Sequence, residues 1–536
     1  MPRKKKTLLS WLFLGIIGLA IFILFYNQAF PTASLNIRVD KKKALKIGED
    51  FIAKKGFDLK GFDKTGIFYS DYYAVSYLQK TQGLKKSNEL IRRGLPVWFW
   101  RLRWFKELQK EGFIVDIDPA SAEVVRFDYF ILEDKKGDNL TQRMAMIRAV
   151  EEITSQGIDL SSYELKDTKV EKQKNRTDYH FSWEKKDYKV SEATLRLDAR
   201  IYGDKLGRYR KYLKTPEAFQ RYLDGEVSLG QMLTRVATIL TFVLVIIAIF
   251  TLVFRGFSTK ANWKVWLGCG GIIFFLRLGD FFNSLPATWI FYSDVISKKV
   301  FFITALGEKI SDALSLGIMV FAYGMLGEFF TAKLSLFFAK GKKHYLSLDV
   351  ILTLLKGYCL GFLCLGYLTL FYLLGGKFFS IWMPLKPEYS NVLGTLLPVL
   401  FPFTLALVAA VYEEFSYRLF ATSFLRKFIS LSWIAVLFPA LLWGLGHSVY
   451  LVFPIYVRAI ELTILGIILG LVFIKYGLKV VIIAHFTVNV ILAVMPFLIS
   501  YNSHFLISGI IVMIIVFILP APIITFLAKK LNEAKS

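Results

Sequence analysis

Three apolar stretches in the last third of the chain contain polar side chains that could do chemistry. They hold the adjacent pair Glu413 and Glu414 with Arg418, then Trp443 with His447, then His485 with Asn489. An ionisable group inside a membrane helix costs at least about 2.5 kcal/mol on insertion scales, so it indicates a function or a buried pair. Residues four positions apart lie about 6 Å from each other on one helix face. The spacing therefore predicts that each stretch presents its polar residues together.

The first motif contains two carboxylates with different tasks. Glu414 can form an ion pair with Arg418 one turn away, whereas Glu413 is rotated by about 100° and can project into a cavity. A balanced ion pair beside a second carboxylate leaves that carboxylate free to handle protons. His447 and His485, from other helices, can converge on the same cavity. Two acids, two imidazoles, a guanidinium and an amide can together activate water and stabilise an oxyanion.

Each motif also has a purely structural interpretation. Glu414 and Arg418 could form a buried ion pair without catalysis, and His485 with Asn489 could join neighbouring helices by hydrogen bonds. The occurrence of all three motifs in one short region, on separate predicted helices, favours the catalytic interpretation.

The elements that position these residues are predicted membrane helices. The 536 residues are 55% hydrophobic with a mean hydropathy of +0.47, which is far from the composition of a soluble enzyme. Ten apolar runs approach the roughly 20 residues that a helix needs to cross a bilayer. They are Leu8 to Tyr26, 234–254, 265–283, 308–330, 348–376, 392–424, 430–449, 457–474, 480–499 and 505–528. The sequence predicts a polytopic all-α membrane bundle of about ten transmembrane helices in the cell membrane.

The basic residues favour one orientation of this bundle. The formal net charge is +25, and many Lys and Arg residues flank the apolar runs, where they set topology and contact anionic lipid headgroups. Basic loops after residues 254, 330, 424, 474 and 528 predict that both termini are cytoplasmic. No nucleic-acid motif accompanies the charge, so nucleic acid is not expected as a partner. Residues 1–31 are interpreted as a retained anchor, with a cleaved signal peptide as the alternative.

Residues 32–230 are charged and contain no spanning run, which predicts an extracytoplasmic α+β domain inserted after the first helix. An internal repeat with an offset of 101 residues supports this: Ala44, Ile52, Gly56, Asp58 and Leu59 recur as Ala145, Ile153, Gly157, Asp159 and Leu160. Each copy predicts a helix that stops at Gly, followed by strands. The pattern resembles two PepSY-like repeats, which implies a role in peptidase regulation; a generic spacer or binding domain is the alternative.

The three C-terminal motifs resemble the CPBP family, the CAAX proteases and bacteriocin-processing enzymes that are also called the Abi family. The family pattern is EExxxR, then an aromatic residue with His four positions later, then His with Asn or Asp four positions later. Residues 413–489 contain these motifs in this order, with Trp443 where Phe is common. The resemblance covers roughly residues 390–500 and implies a catalytic membrane core at 390–536, preceded by transmembrane helices at 231–389.

This resemblance implies hydrolysis of peptide bonds within the membrane. Glu413 would be the general base that polarises a water, with help from His447, while His485 and Asn489 would donate to the tetrahedral oxyanion. The implied partners are a membrane-associated peptide or protein substrate and the lipid bilayer. The sequence does not predict an oligomeric state.

By the same resemblance, Glu414 and Arg418 would fix the geometry around the general base. No metal or other cofactor is expected because HExxH is absent, although a zinc enzyme with one Glu and two His ligands is an alternative. A non-catalytic membrane scaffold and a proton-coupled transporter are two further alternatives from other functional classes.

Two other charged pairs are interpreted as structural. Arg277 and Asp280, three positions apart, look like a local pair within one helix, and Glu461 near Arg458 is predicted to lie at the membrane interface.

Overall fold

The computed structural model describes residues 2–255, 262–331, 348–384 and 391–520. In chain order its helices are α1 (Pro2–Ala29), α2 (Lys41–Lys54), α3 (Tyr72–Arg92), α4 (Gln142–Thr154), α5 (Glu217–Arg255), α6 (Trp263–Asn283), α7 (Leu285–Trp289), α8 (Lys298–Phe330), α9 (Leu348–Phe378), α10 (Leu400–Glu413), α11 (Ser423–Leu425), α12 (Ser432–Gly446), α13 (Tyr456–Tyr476), α14 (Leu478–Leu498) and α15 (Ser503–Met513). The strands are β1 (Asp63–Ser70), β2 (Trp98–Lys106), β3 (Gln109–Ile117), β4 (Val124–Phe130), β5 (Tyr163–Lys172), β6 (Thr177–Val190), β7 (Ala193–Tyr202) and β8 (Lys205–Lys214).

The helices confirm a multi-pass membrane protein. Among the described residues, seven helices are long and apolar enough to span a membrane, namely α1, α5, α6, α8, α9, α13 and α14. The other three predicted spans are shorter or interrupted helices. α10 continues through π-helical turns into α11, α12 has 15 residues, and α15 continues into a π-helical segment. The predicted fold class, a helical bundle with an α+β domain after the first helix, is therefore confirmed.

Glycines allow the membrane helices to approach each other closely. A methyl group on Gly366 of α9 would lie 2.6 Å from the Cα of Gly18 on α1, so these two backbones are in contact. Gly270 of α6 and Gly317 of α8 meet in the same way, each facing the other's carbonyl oxygen. Small residues are the usual means of close helix packing in lipid, where apolar burial alone gives little preference for one helix contact over another.

The domain between α1 and α5 consists of two similar units. Each unit has an initial helix and four antiparallel strands, and in the first unit α3 is inserted between β1 and β2. The two four-stranded sheets join through their last strands in the order β1-β2-β3-β4-β8-β7-β6-β5. The first helix of each unit follows its N-cap, Asp40 or Thr141, and these caps are 101 positions apart. Gly56 and Gly157, which follow the two helices, have φ values of 81° and 75°. The repeat in the sequence thus corresponds to these units, and their assignment to the PepSY type stays a prediction.

The outer domain lies against one end of the helical bundle. Hydrogen bonds join it to four loops: Thr65 to the carbonyl of Pro286 (2.6 Å), Gln79 to Met383 (3.0 Å), Glu226 to Ile455 (2.9 Å) and Ile37 to Tyr501 (3.0 Å). All four loops are on the side that the basic residues predict to be extracytoplasmic. The structure places these four loops at the same end of the helical bundle. Which compartment this end faces stays a prediction from the basic residues.

Helix α5 connects the two parts of the molecule without interruption. It has 39 residues, so it is about 58 Å long. The predicted span at 234–254 is only its C-terminal part, and its first turns belong to the outer domain. A continuous helix therefore joins the outer domain to the membrane bundle.

Candidate active site

Three separate segments of the C-terminal bundle bring the candidate residues together. Glu413 is the last residue of α10, and the chain continues in π-helical turns from Glu414 to Thr422. The hydroxyl of Thr422 donates to the carbonyl of Tyr417, five residues earlier, which fits this wider winding. Such π-helical turns inside an α-helix occur frequently at functional sites.

The two histidines come from the next helices along this part of the chain. His447 is the C-cap of α12 and follows its last turn, so it is not inside a helix as the sequence suggested. His485 lies within α14, and Asn489 is one turn further along the same helix. The end of α12 thus positions one imidazole and the middle of α14 the other.

The predicted ion pair within the first motif is present and buried. Arg418 Nη1 lies 3.1 Å from Glu414 Oε1, and the two side chains are 2% and 0% exposed. His485 Nδ1 lies 2.8 Å from the same Glu414 oxygen. One carboxylate oxygen therefore links the guanidinium and an imidazole from another helix.

Glu413 is the point on which the remaining groups converge. The indole Nε1 of Trp443 donates to Glu413 Oε2 at 2.5 Å. Two imidazole nitrogens face the same oxygen, His447 Nε2 at 3.6 Å and His485 Nε2 at 3.7 Å. These separations are longer than direct hydrogen bonds, and a water placed among the three atoms could contact all of them.

The orientation of His447 is fixed by its own helix. Its Nδ1 lies 2.8 Å from the carbonyl oxygen of Trp443, so Nδ1 carries the proton and donates. The other nitrogen, Nε2, is then directed toward Glu413. A backbone hydrogen bond on the far nitrogen is the usual way in which a protein fixes the tautomer of a functional histidine.

Trp443 does more than supply the aromatic residue of the family pattern. Its indole holds Glu413, and the guanidinium of Arg418 lies 4.3 Å from the centre of its ring. This cation–π contact couples the ion pair to the general-base candidate. The sequence feature that could have indicated this role is a residue with a side-chain N–H donor about one helical turn before His447.

A cavity of about 430 Å³ opens beside these groups. The polar candidates that line it are Glu413, His447, His485 and Asn489, and most of the remaining wall is apolar. The ion pair lies behind this wall rather than in it. Asn489, for which the sequence predicted a role beside His485, therefore shares the cavity with the three groups around Glu413 Oε2.

Helix α1 supplies one side of the same cavity. Tyr26 lines it, as do Phe30 and Thr32 just beyond the helix. The N-terminal segment, which the sequence indicated only as an anchor, thus contributes side chains to the candidate site.

A second polar cluster lines the cavity. Glu461 is 0% exposed, and its predicted pair with Arg458 is present at 2.8 Å, while its position at the membrane interface stays a prediction. Tyr372 of α9 donates to Glu461 and accepts from Arg458 Nη1 at 3.0 Å. Because the partner tyrosine comes from a helix distant in sequence, spacing along the chain could not indicate this cluster.

The predicted pair of Arg277 and Asp280 is wrong. Arg277 Nε lies 3.1 Å from Asp312 of α8, whereas Asp280 accepts a hydrogen bond from Thr404 of α10. Both side chains find partners on neighbouring helices instead of on their own. These contacts join α6 to the helices beside it and are structural.

The side chains of the described residues include no group of three or more His, Cys, Asp and Glu with the arrangement of a metal site. His485 Nδ1 is engaged with Glu414, and His447 Nδ1 with a carbonyl oxygen. The nitrogens that remain are the two Nε2 atoms that face Glu413.

Comparison with known proteins places this site in a family. Residues 395–491 match the family model described as type II CAAX prenyl endopeptidase Rce1-like, and this range contains all six predicted site residues. The chain is also 22% identical, over 498 residues, to the sporulation-killing factor biosynthesis protein SkfC of Bacillus subtilis (strain 168). That similarity covers 91% of this chain and 95% of SkfC. No solved structure matches the chain.

The C-terminal part of the chain therefore carries an Rce1-like domain of the CAAX prenyl protease (CPBP) type. The match supports an intramembrane protease of the CAAX type that acts on membrane-associated substrates.

Proposed function

We propose that the Rce1-like domain is a glutamate-dependent intramembrane endopeptidase that hydrolyses a peptide bond of a membrane-associated substrate. The observation that carries this proposal is the convergence of two imidazole Nε2 atoms and one indole N–H on a single oxygen of Glu413, beside an apolar cavity. A purely structural carboxylate would have no reason to face such a cavity with two titratable neighbours.

Glu413 is the general base in this mechanism. It accepts a proton from a water held between its Oε2 and His447 Nε2, and the resulting hydroxide attacks the carbonyl carbon of the scissile bond. The indole N–H of Trp443 keeps the carboxylate in place during this transfer. Glu413 then delivers the proton to the leaving amine nitrogen, so that one water is consumed and a new carboxyl group and a new amine result.

His485 and Asn489 stabilise the tetrahedral intermediate. Glu414 accepts a hydrogen bond from His485 Nδ1, and this contact fixes the orientation of the imidazole. An N–H at Nε2 and the amide of Asn489 are the proposed donors for the developing oxyanion. Arg418 balances the charge of Glu414, which leaves Glu413 as the carboxylate that exchanges protons.

The apolar cavity fits a substrate that enters from the membrane. Its wall combines aliphatic side chains with a few polar groups, which suits a peptide segment with hydrophobic side chains and a polar backbone. SkfC is named for the biosynthesis of a sporulation-killing factor. This supports a biosynthetic cleavage of one substrate over general degradation.

The test compares the membrane proteomes of cells that express the wild-type chain or Glu413→Gln. Fragments that depend on the wild type identify the substrate, whose cleavage is then measured with purified protein in nanodiscs. Glu413→Gln is expected to lower kcat/KM by about 10²- to 10⁴-fold, the range that a general base contributes, and His447→Ala should also impair cleavage strongly.

The matched control is Glu328→Gln. Glu328 of α8 also accepts an indole N–H at 2.5 Å, from Trp266, but does not line the cavity. This variant should cleave like the wild type. Wild-type cleavage by both Glu413→Gln and His447→Ala would overturn the proposal in favour of a scaffold or a transporter, and stoichiometric zinc whose removal abolishes turnover would establish the zinc alternative.

A further inference from the structure

The outer domain contains a second cavity, which the proposed reaction does not use. It has a volume of about 500 Å³ and lies between the ends of the central strands and the first turns of α5. We call it the outer cleft. Its wall is rich in charged and aromatic side chains, in contrast to the apolar cavity in the membrane.

The charge of the outer cleft is positive. Its lining contains five cationic and three anionic side chains, a net charge of +2: Arg101, Arg126, Arg210, Lys211 and Lys214 against Asp71, Asp116 and Asp224. The excess of cationic over anionic side chains is small. Whether positive charge is available to a ligand therefore depends on which of these side chains are already paired with each other.

Internal hydrogen bonds occupy the three carboxylates. Asp116 accepts both arms of Arg101 at 2.9 and 2.7 Å, Asp224 accepts from the hydroxyl of Tyr73 at 2.9 Å, and Asp71 accepts from the backbone N–H of Ala74 at 3.1 Å. Burial also raises the pKa of Asp71 above that of an ordinary aspartate. The acidic groups of the cleft are therefore engaged in holding its walls.

Two of the five cations, Arg101 and Arg126, are held in ion pairs with Asp116 and Asp128.

The other three cations are less fully engaged. Arg210 makes one contact with Asp71 at 3.4 Å, and its side chain is 38% exposed. Lys211 and Lys214 form no ion pair with any residue that the structure describes. Positive charge with unused N–H donors thus lines a concave space, where it can attract an anion.

Aromatic rings hold two of the guanidinium groups flat. Arg101 lies 3.6 Å above the ring of Tyr69, and Arg210 lies 4.3 Å from the ring centre of Tyr212. A stacked guanidinium presents its N–H edge in a fixed plane, which suits carboxylates better than a mobile ammonium group does.

The position of the outer cleft connects it to the active-site cavity. Val227 of α5 lines the cleft, while the preceding residue, Glu226, accepts a hydrogen bond from the backbone of Ile455. Ile455 ends the loop that begins after His447, and Tyr450 and Leu451 of that loop line the active-site cavity. The contact between α5 and this loop therefore lies between the cleft and the active-site cavity.

The height of the cleft favours a peptide over a lipid. Asp224 precedes the predicted span at 234–254 by ten residues, which corresponds to about 15 Å of helix outside the apolar part of the membrane. A lipid phosphate stays near the bilayer surface, whereas a peptide chain can extend to this distance.

We propose that the outer cleft binds an acidic, extended segment of the peptide substrate, outside the membrane, while the scissile bond lies in the apolar cavity. This assignment rests on the proposed protease function and adds a substrate class to it: membrane peptides with a flank rich in Asp or Glu. Carboxylates of the flank pair with Arg210, Lys211 and Lys214, and the backbone rests on the aromatic walls.

Binding is measured with the full-length Glu413→Gln variant in neutral phosphatidylcholine nanodiscs, so that the result does not depend on catalysis. The probe is a fluorescent peptide with four consecutive Glu residues, compared with the same peptide carrying Gln. The Glu peptide should bind more tightly, and adding Lys211→Gln with Lys214→Gln should weaken its binding about fivefold. A further variant that also carries Arg210→Gln should weaken it more.

The matched control removes two lysines elsewhere on the same domain. Lys172→Gln with Lys174→Gln lowers the charge equally, at the far edge of the sheet and away from the cleft. Any of three results would overturn the proposal. The Glu and Gln peptides could bind equally, the cleft variants could bind the Glu peptide as tightly as their parent, or the control variant could lose as much affinity as the cleft variant. The cleft variants are also tested for binding to phosphatidylserine vesicles. If they bind these vesicles less tightly but bind the peptide as before, the surface binds lipid and the proposal is overturned.

An active chain separates the two proposals. With a substrate that has an acidic flank, the cleft variants should raise KM at an unchanged kcat. Absence of cleavage by every form of the protein would reject the protease function and leave the binding result intact. Cleavage that is insensitive to the flank and to the cleft variants would reject only the cleft.

Discussion

Two buried ion pairs, one in each region of the molecule, differ in how fully their polar atoms are satisfied. In the outer domain, Arg176 pairs with Asp178 at 2.9 Å, and the side chains are 4% and 5% exposed. In the membrane bundle, Arg418 pairs with Glu414 at 3.1 Å, and the side chains are 2% and 0% exposed. Burial and distance alone therefore do not separate the two pairs.

The difference lies in what the remaining atoms do. Arg176 also donates to the carbonyl oxygens of Leu132 and Lys135, at 2.9 and 2.8 Å. In contrast, Arg418 Nη2 and Glu414 Oε2 are buried without a hydrogen-bond partner in the part of the chain that the structure describes. Buried polar atoms are nearly always satisfied, so unused ones beside an active-site cavity indicate function more strongly than the pair itself does.

The largest expected effect comes from breaking each pair in the same way. Arg418→Met should abolish nearly all cleavage, because Glu414 would lose its counter-charge and could no longer orient His485. Arg176→Met should leave kcat/KM per folded molecule within about twofold of the wild type. Loss of one partner costs about 3–5 kcal/mol for a buried pair, so both variants should unfold at lower temperature.

Activity and thermal stability of the two variants are measured in the same nanodiscs. If Arg176→Met loses as much activity per folded molecule as Arg418→Met, then satisfied hydrogen bonds do not distinguish the pairs. Both losses of activity would then be explained by the lower stability of the folded protein.

An intermediate effect is expected from Trp443→Phe, which keeps an aromatic ring but removes the N–H that holds Glu413. Hydrogen bonds to charged groups contribute about 1.5–3 kcal/mol, so kcat/KM should fall between about tenfold and a hundredfold. The control is Trp266→Phe, which removes the equivalent N–H donor to Glu328. An equal loss in both variants would show that indole N–H groups stabilise the bundle generally and do not position a general base.

The smallest expected effect tests how the outer domain and the membrane bundle are joined along α5. A methyl group at Gly230 would lie 2.3 Å from the carbonyl oxygen of Ser448, so Gly230→Ala must displace the loop after His447. Overpacking of this kind costs about 1–3 kcal/mol, and we expect kcat/KM to fall about fivefold.

Gly225→Ala is the matched substitution on the same helix. No atom lies within 4 Å of a methyl group at that position, and Ala is the better helix former. This variant should keep full activity and an equal or higher melting temperature. A comparable loss of activity in both variants would show that any change in α5 matters, and that the contact with Ser448 is not specific.

The sequence predicted contacts within one helix better than contacts between helices. The pairing of Glu414 with Arg418 followed from a spacing of four residues, and the helices that start after Asp40 and Thr141 followed from the repeat. The spacing of residues along the chain indicates which of them share one face of a helix. The ion pair and the two helices could be predicted from that information alone.

Contacts between distant segments required the structure. The failed prediction for Arg277 and Asp280 shows the limit, because each residue is satisfied by another helix. The convergence of the motifs on one cavity could be inferred from their chemistry, but the contribution of Tyr372 to a second cluster could not, since hydropathy does not specify which helices are neighbours. The extension of α5 was missed because its first turns are polar.

The contact of α1 with the cavity has a consequence for how the chain can be altered. Because the backbones of Gly18 and Gly366 touch and Tyr26 lines the cavity, α1 forms one wall of the space around the candidate residues. An unrelated leader helix in its place would still tether the outer domain, yet it would lack the side chains that complete this wall. We therefore expect the proposed protease activity to be lost when the first helix is exchanged for a generic anchor.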